Sequence, residues 1–295
     1  MTTIGFIGLG HMGTPMVKNL LAKKIKVKIF DVNAKAMELL AKEGATEAAS
    51  IAEVANDSDV IFTMVQTGEQ VKQCCLGPQG IFAHIKTDAL YIDSSTIDVK
   101  TSKALHAEAE RKKIAMLDAP VSGGVAAAAA ATLTFMVGGT DENFERGKRI
   151  LEYLGKNIVH AGAAGSGEAA KICNNLILGI SMIGVCEAFV LAEKIGLAPE
   201  KLFEICSASS GQCWSLSTYC PWPGVLENVP STHHYKPGFM AKMMLKDLVL
   251  SQETADYADI HVPLSQHAMQ LFQKYVDDGN GEVDFSGIIN MLRSG

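Results

Sequence analysis

The sequence predicts an α/β protein: a doubly wound, mostly parallel sheet over residues 1–163, then an all-α domain over 164–295 joined to it by a long interdomain helix. Three observations carry this. Short apolar runs rich in β-branched residues alternate with helically spaced stretches through the first half, which is the pattern of βαβ units. Strand cores such as Val60-Ile61-Phe62 are apolar at successive positions, as expected where both faces of a sheet are covered. Beyond residue 162 strand signals stop and only helical spacing remains.

In chain order, strands are predicted at 4–7, 26–30, 60–65, 89–92, 114–117, 133–137 and 158–160, with helices at 14–22, 34–42, 99–111 and 142–154 among them. The six alanines at 126–131 suit either a short helix or a small-residue connection. Gly162, Gly165 and Gly167 punctuate the change of pattern, and a proline-free helix follows over 168–195. At about 1.5 Å per residue it is roughly 40 Å long, enough to bridge two domains. Further helices are predicted at 199–207, opened by Pro199, and at 239–258, 263–277 and 286–293. Residues 211–237, with Pro221, Pro223, Pro230 and Pro237, form a turn-rich loop.

Composition narrows the function classes. A chain of 295 residues with 48% hydrophobic and 20% charged residues is globular, neither disordered nor a disulfide scaffold. The net charge of −6 and scattered basic residues leave no footprint for nucleic acid or an anionic membrane. Seven cysteines, two adjacent at Cys74-Cys75, point to reduced thiols and a cytoplasmic protein. A strand-like run begins almost at Met1, so no targeting segment is expected. The longest mostly apolar stretch, 176–186, ends at Glu187, short of the roughly 20 residues of a membrane span. It reads as a buried helix.

Gly8-Leu9-Gly10-His11-Met12-Gly13 follows the first strand and opens the first helix, and Asp31 ends the next strand. This is the Rossmann-like dinucleotide fingerprint. Gly8 permits the tight turn, Gly10 lets the backbone approach a diphosphate, and Gly13 allows close helix–strand packing. Unpaired amides at the helix start favour the anion. Asp31 would accept from a ribose 2′-hydroxyl and repel a 2′-phosphate, and no arginine follows it, so NAD is expected rather than NADP.

Asp118-Ala119-Pro120-Val121-Ser122-Gly123-Gly124 lies just beyond a predicted strand, where open α/β sheets bind ligands. Ser122 offers a hydroxyl, and Gly123-Gly124 can expose successive amides to an anion; a flexible turn would use the same residues. Gly167-Glu168-Ala169-Ala170-Lys171-Ile172-Cys173-Asn174-Asn175 opens the long helix and places Asn174 and Asn175 beside Lys171. Such a lysine is either a desolvated proton-transfer group or a solvated surface residue. His233-His234 has no supporting ligand spacing, and Asp278-Gly279-Asn280-Gly281-Glu282 lacks the glycine and acid of a calcium loop, so no metal is expected. Cys173, Cys186, Cys206 and Met243-Met244 read as packing residues.

The run from Ile4 to Met16, with Asp118–Gly124 and Gly167–Asn175, resembles the β-hydroxyacid dehydrogenase family over nearly the whole chain. Cys220-Pro221-Trp222-Pro223-Gly224 and Met244-Leu245-Lys246-Asp247-Leu248 resemble its 3-hydroxyisobutyrate branch. The resemblance implies an NAD-dependent oxidoreductase that converts 3-hydroxyisobutyrate to methylmalonate semialdehyde. Serine, 3-hydroxypropionate and tartronate semialdehyde are alternative substrates. A non-catalytic dinucleotide sensor and an imine or keto-acid reductase on the same scaffold are the alternatives of another class.

It further implies that Lys171 is the acid/base. Ser122, Gly123 and Gly124 hold the substrate carboxylate, and Asn174 and Asn175 serve the substrate, with Asn175 positioning the reacting hydroxyl. Cofactor contacts fall on Gly8, Leu9, Gly10, His11, Met12, Gly13, Asp31, Met64, Val65, Thr96 and Lys246. The partners implied are a small hydroxyacid and further copies of the chain, as a dimer or tetramer. Two departures stand out: 126–131 is all alanine where relatives usually carry glycine, and Val65-Gln66 replaces a common Leu-Pro.

Overall fold

Residues 2–294 are described by the computed structural model, in which the chain forms two compact units, one ending at Lys171 and the other beginning at Ile172. The first unit opens with β1 (Thr3–Ile7), α1 (Gly13–Ala22), β2 (Lys26–Phe30), α2 (Ala34–Ala41), β3 (Thr46–Glu47) and α3 (Ile51–Asp57). It continues with β4 (Val60–Thr63), α4 (Gly68–Cys75), α5 (Ile81–His84), β5 (Leu90–Asp93), α6 (Val99–Arg111) and β6 (Ala115–Asp118). β7 (Val121–Ser122), α7 (Gly124–Ala129), β8 (Leu133–Gly138), α8 (Asp141–Leu151) and β9 (Gly155–Gly162) complete it.

The strands lie in the order β3-β2-β1-β4-β5-β6-β8-β7, with β9 paired to β8. All neighbours from β3 to β6 are parallel, as crossover helices require, and β8 turns antiparallel to β6 and β7. Alternate residues feed two cores. Phe6, Phe62, Ile92 and Leu117 pack on one face, and Ile7, Ile61, Tyr91 and Met116 on the other. Coverage on both faces explains the unbroken apolar runs.

Several boundaries differ from the sequence expectation. β4 stops at Thr63, two residues early, because Val65 N donates to Ser95 Oγ at 3.0 Å and leaves the sheet. β3 and β7 have two residues each, too few to show a period of two. α4 carries a capping box in which Thr67 and Gln70 bond reciprocally to each other's amides, a signal present in the sequence. The alanine run resolves into α7, and Ala131 just beyond it adopts φ +55°.

α9 (Ser166–Lys194) runs from the first unit into the second, which also holds α10 (Pro199–Ser207), α11 (Trp214–Ser217), α12 (Ala241–Tyr257), α13 (Pro263–Tyr275) and α14 (Ile288–Ser294). Met182, Cys186 and Phe189 of α9 pack with Met244 and Leu248 of α12, Phe272 of α13, and Phe285. By length and composition alone α9 could cross a membrane, but Met182, Cys186 and Phe189 bury its apolar stripe in the core of the second unit, and Glu187 lies exposed away from that stripe. The 211–237 loop is less irregular than expected. It contains α11 and a 3-10 turn at Pro230–His233, and the buried Asp284 ties its end down by accepting from Tyr219 Oη, Gly238 N and Phe239 N at 2.9–3.0 Å.

One packing assignment is corrected. Cys186 is buried and Cys206 half-buried, but Cys173 is exposed, because the apolar face of α9 passes through Ile172 and not its neighbour.

Candidate active site

The glycines after β1 do different things. Gly8 adopts φ +98°, and a Cβ there would lie 2.3 Å from Met64 O, so the turn presses against the chain leaving β4. A Cβ on Gly13 would lie 2.0 Å from Gly8 O, whereas one on Gly10 would meet nothing within 4 Å. Two glycines thus serve packing, and Gly10 keeps an exposed backbone open to a ligand. Asp31 follows β2 directly and has both oxygens engaged: Oδ2 accepts from Leu9 N at 2.5 Å and Oδ1 from Asn33 N at 2.7 Å. Its carboxylate is therefore held against the glycine turn. His11 is exposed and Met12 half-buried in the same turn.

Met64 and Val65 leave β4, and Ser94, Ser95 and Thr96 leave β5, so they share the carboxyl edge with the glycine turn. Backbone bonds from Met64 N to Ile7 O (2.9 Å) and from Ser94 N to Thr63 O (2.8 Å) hold these exits together. This edge is where an open α/β sheet binds its ligand, and the open Gly10 backbone beside a fixed carboxylate fits a dinucleotide diphosphate and ribose.

Beneath the edge runs a buried polar chain. Cys75 Sγ donates to Tyr91 Oη (3.1 Å), Tyr91 Oη lies 2.7 Å from Thr63 Oγ1, and Thr63 Oγ1 donates to Asp93 Oδ1 at 2.7 Å. Ser95 N also donates to Asp93 Oδ1, at 3.1 Å. Burial pushes the Asp93 carboxyl above the usual carboxylate range, against the hydrogen bonds from Ser95 and Thr63. The Cys75 thiol and the Tyr91 phenol are likewise pushed up by burial.

Asp93 pairs in register with Asp118, the last residue of β6. From there the chain passes to Ser122, which is half-buried, and to Gly123 and Gly124 at φ +123° and +67°. Lys171, in the same unit at the head of α9, is only 8% exposed. It is a buried residue and not a surface lysine. In the second unit, Asn174 Nδ2 donates to Asn175 Oδ1 at 2.9 Å, and Asn175 Nδ2 donates to the buried Asp247. Lys246 Nζ lies 3.1 Å from Asp247 Oδ1. Among the described residues no three His, Cys, Asp or Glu side chains converge as metal ligands.

Comparison with known proteins decides the family. The profile of the NAD-binding domain of 6-phosphogluconate dehydrogenase matches residues 3–162, and that of the NAD-binding domain of NADP-dependent 3-hydroxyisobutyrate dehydrogenase matches 165–292. A mitochondrial 3-hydroxyisobutyrate dehydrogenase from Bos taurus is 44% identical over 292 residues, 99% of this chain and 87% of that protein. The chain belongs to the β-hydroxyacid dehydrogenase family. An NAD-dependent L-serine dehydrogenase from Pseudomonas aeruginosa is 43% identical, over 97% of this chain and 96% of the other. The solved structure of Mycobacterium tuberculosis 3-hydroxyisobutyrate dehydrogenase with L-serine is 42% identical, superposes with a TM-score of 0.94, and matches over 99% of both chains. Family membership makes the chain an NAD-binding oxidoreductase with a small-molecule substrate.

Several polar residues of this dehydrogenase have no role of their own in the sequence motifs, although Asp118 and Asp247 lie within them. Asp93, Asp118 and Asp247 are buried carboxylates with backbone or amide partners, and Asp93 and Asp118 each close an otherwise apolar strand. An acid ending a buried run was the available signal. His106, which contacts Asp118 from α6, has no sequence signature at all.

Proposed function

We propose that the chain oxidises a short 3-hydroxy acid with NAD, 3-hydroxyisobutyrate to methylmalonate semialdehyde being the reading best supported. The observation that carries it is the buried Lys171 in the same unit as the glycine turn and Ser122–Gly124. Bound NAD⁺ supplies the hydride acceptor. Lys171 Nζ takes the hydroxyl proton as the carbinol carbon gives up hydride, and returns it to the alkoxide in reverse; such help is typically worth about 10²–10⁴ in rate. Ser122 Oγ and the amides of Gly123 and Gly124 hold the substrate carboxylate. The family resemblance gives Asn174 and Asn175 the alcohol, and Thr96, Met64, Val65 and Lys246 the cofactor.

The fixed Asp31 carboxylate supports NAD over NADP. Names of relatives support 3-hydroxyisobutyrate, while the Pseudomonas enzyme and the L-serine-bound Mycobacterium structure favour serine as a second reading. Residues 1–163 are assigned to NAD binding and 164–295 to substrate binding and assembly, as a cytoplasmic homodimer or homotetramer. Exposed Ile177 and Leu191 on α9, with Ile195 just beyond its end, support the assembly.

The test is a panel of 3-hydroxyisobutyrate, L-serine, 3-hydroxypropionate and glycerate with NAD⁺ or NADP⁺, followed by the absorbance of the reduced nicotinamide. Lys171→Ala should lower turnover on the best substrate at least about 100-fold with NADH binding unchanged. Turnover that survives this change removes the acid/base role, and a panel without product removes the short 3-hydroxy acid reading.

A further inference from the structure

Asp118 sits at the junction of three elements and is fully buried. Its Oδ1 accepts from Gly165 N at 2.9 Å and from His106 Nε2 at 2.8 Å, and its Oδ2 accepts from Glu168 N at 3.0 Å. The two amides belong to the start of α9, where backbone N–H groups have no intrahelical partner and the helix dipole favours negative charge. Glu168 adds a second tie, its Oε2 accepting from Ile97 N at 3.2 Å. The slot around Asp118 is shaped by missing side chains. A Cβ on Gly138 would lie 2.4 Å from Asp118 Oδ1, and one on Gly167 would lie 2.9 Å from Oδ2 and 2.3 Å from Met136 O.

Lys171 lies one helical turn beyond Glu168, and Ser122 lies four residues beyond Asp118. The segment between Asp118 and Ser122 is itself pinned, by Ala119 N to Asp93 O (2.7 Å) and Met136 N to Pro120 O (3.0 Å). We propose that Asp118, oriented by His106, is a positioning residue that sets Lys171 in register with the Ser122–Gly124 segment. The proposal rests on Lys171 being the acid/base. A misplacement of about 1 Å between a reacting group and its substrate costs about 10²-fold in rate, so a short rigid link between the two is functionally consequential.

Asp118→Asn keeps the shape but can supply only one acceptor oxygen, so its amide faces one of the two N–H donors of α9. In the full-length enzyme, kcat should fall at least about tenfold while KM for NAD⁺ and the Kd for NADH stay within about twofold. Introduced into Lys171→Ala, the same change should lower the residual turnover less than about twofold, because a residue acting only through Lys171 has nothing left to position. Equal fold losses in both backgrounds, or an unchanged kcat in Asp118→Asn, overturn the proposal alone. Undiminished turnover of Lys171→Ala overturns the acid/base reading and this proposal with it. Should Asp118→Asn fail to fold, His106→Ala and His106→Gln replace it. Alanine should lower kcat and glutamine, which restores a donor, should recover most of it; equal kcat in parent and both variants overturns the assignment.

Discussion

Replacing Gly10 and Gly13 by alanine, one at a time, separates cofactor binding from folding in the β1–α1 turn. At Gly13 the added carbon would lie 2.0 Å from Gly8 O and 3.1 Å from a ring carbon of Phe6. The carbonyl cannot swing away, because Gly8 N donates to Phe30 O and Gly8 itself has no room on the Met64 side. Overpacking of this kind typically costs about 1–3 kcal/mol. Gly10 has open space and no left-handed φ, so alanine there fits, and by restricting the unfolded chain it should add about 0.4–1 kcal/mol. Cofactor affinity should respond differently. A methyl group on Gly10 fills the space through which a diphosphate reaches the backbone, and the Kd for NADH should rise at least about tenfold, or about 1.4 kcal/mol. Urea denaturation without cofactor gives the first quantity, and titration of NADH fluorescence the second. Gly10→Ala binding NADH as tightly as the parent, or losing as much stability as Gly13→Ala, would refute the division of labour.

Three further outcomes follow from the geometry. Asp31→Ala removes the charge held beside the glycine turn and should narrow the NAD⁺-over-NADP⁺ preference in kcat/KM; an unmoved ratio would show that Asp31 does not contact the ribose. Burial raises the Asp93 carboxyl on folding, so its favourable contribution is complete below the unfolded value of about 3.9 and is lost as pH rises through the folded value. Asp93→Asn, which keeps an oxygen for Thr63 and Ser95, should therefore gain on the parent in urea midpoint as pH rises above about 4, and a constant difference would remove the raised carboxyl. Ala131 at φ +55° pays the left-handed penalty where a glycine usually ends a helix. Ala131→Gly should stabilise by up to about 1 kcal/mol after the entropy of glycine is deducted, and a lower melting temperature would contradict this.

Much of the architecture was legible because the signals were local and repeated. The runs at 4–7 and 26–30 became β1 and β2 since their apolar residues are buried, Phe30 only partly, and the 99–111 pattern became α6 without a shift in its ends. Elements of two residues, such as β3 and β7, are held by neighbours distant in sequence, and no window along the chain contains their cause. The glycine turn and Asp31 announced themselves by spacing, whereas spacing left Lys171 open and only the family resemblance gave it a role. The roles of Asp93 and Asp118 were not legible, although Asp118 opens a motif, because what distinguishes them is the set of amides and hydroxyls brought to them by separate strands and helices. Cys173 shows the converse: an apolar context in sequence became an exposed position once the helix phase was set by its neighbours.

The ends of the sheet bear on how the protein behaves when concentrated. A long, flat border strand offers unpaired backbone groups on which a stray chain can template itself. Here one border is β3, only two residues long, while at the other β8 carries β7, also two residues long, and β9, which holds Lys156 and pairs with β8 through two breaks in register. The two-residue strands present no row of donors and acceptors, and the even stretch of β9 is cut to Asn157–His160 by the breaks on either side, so fibril-like growth from the folded state has little to start from. Aggregation, if it occurs, should track the unfolded fraction.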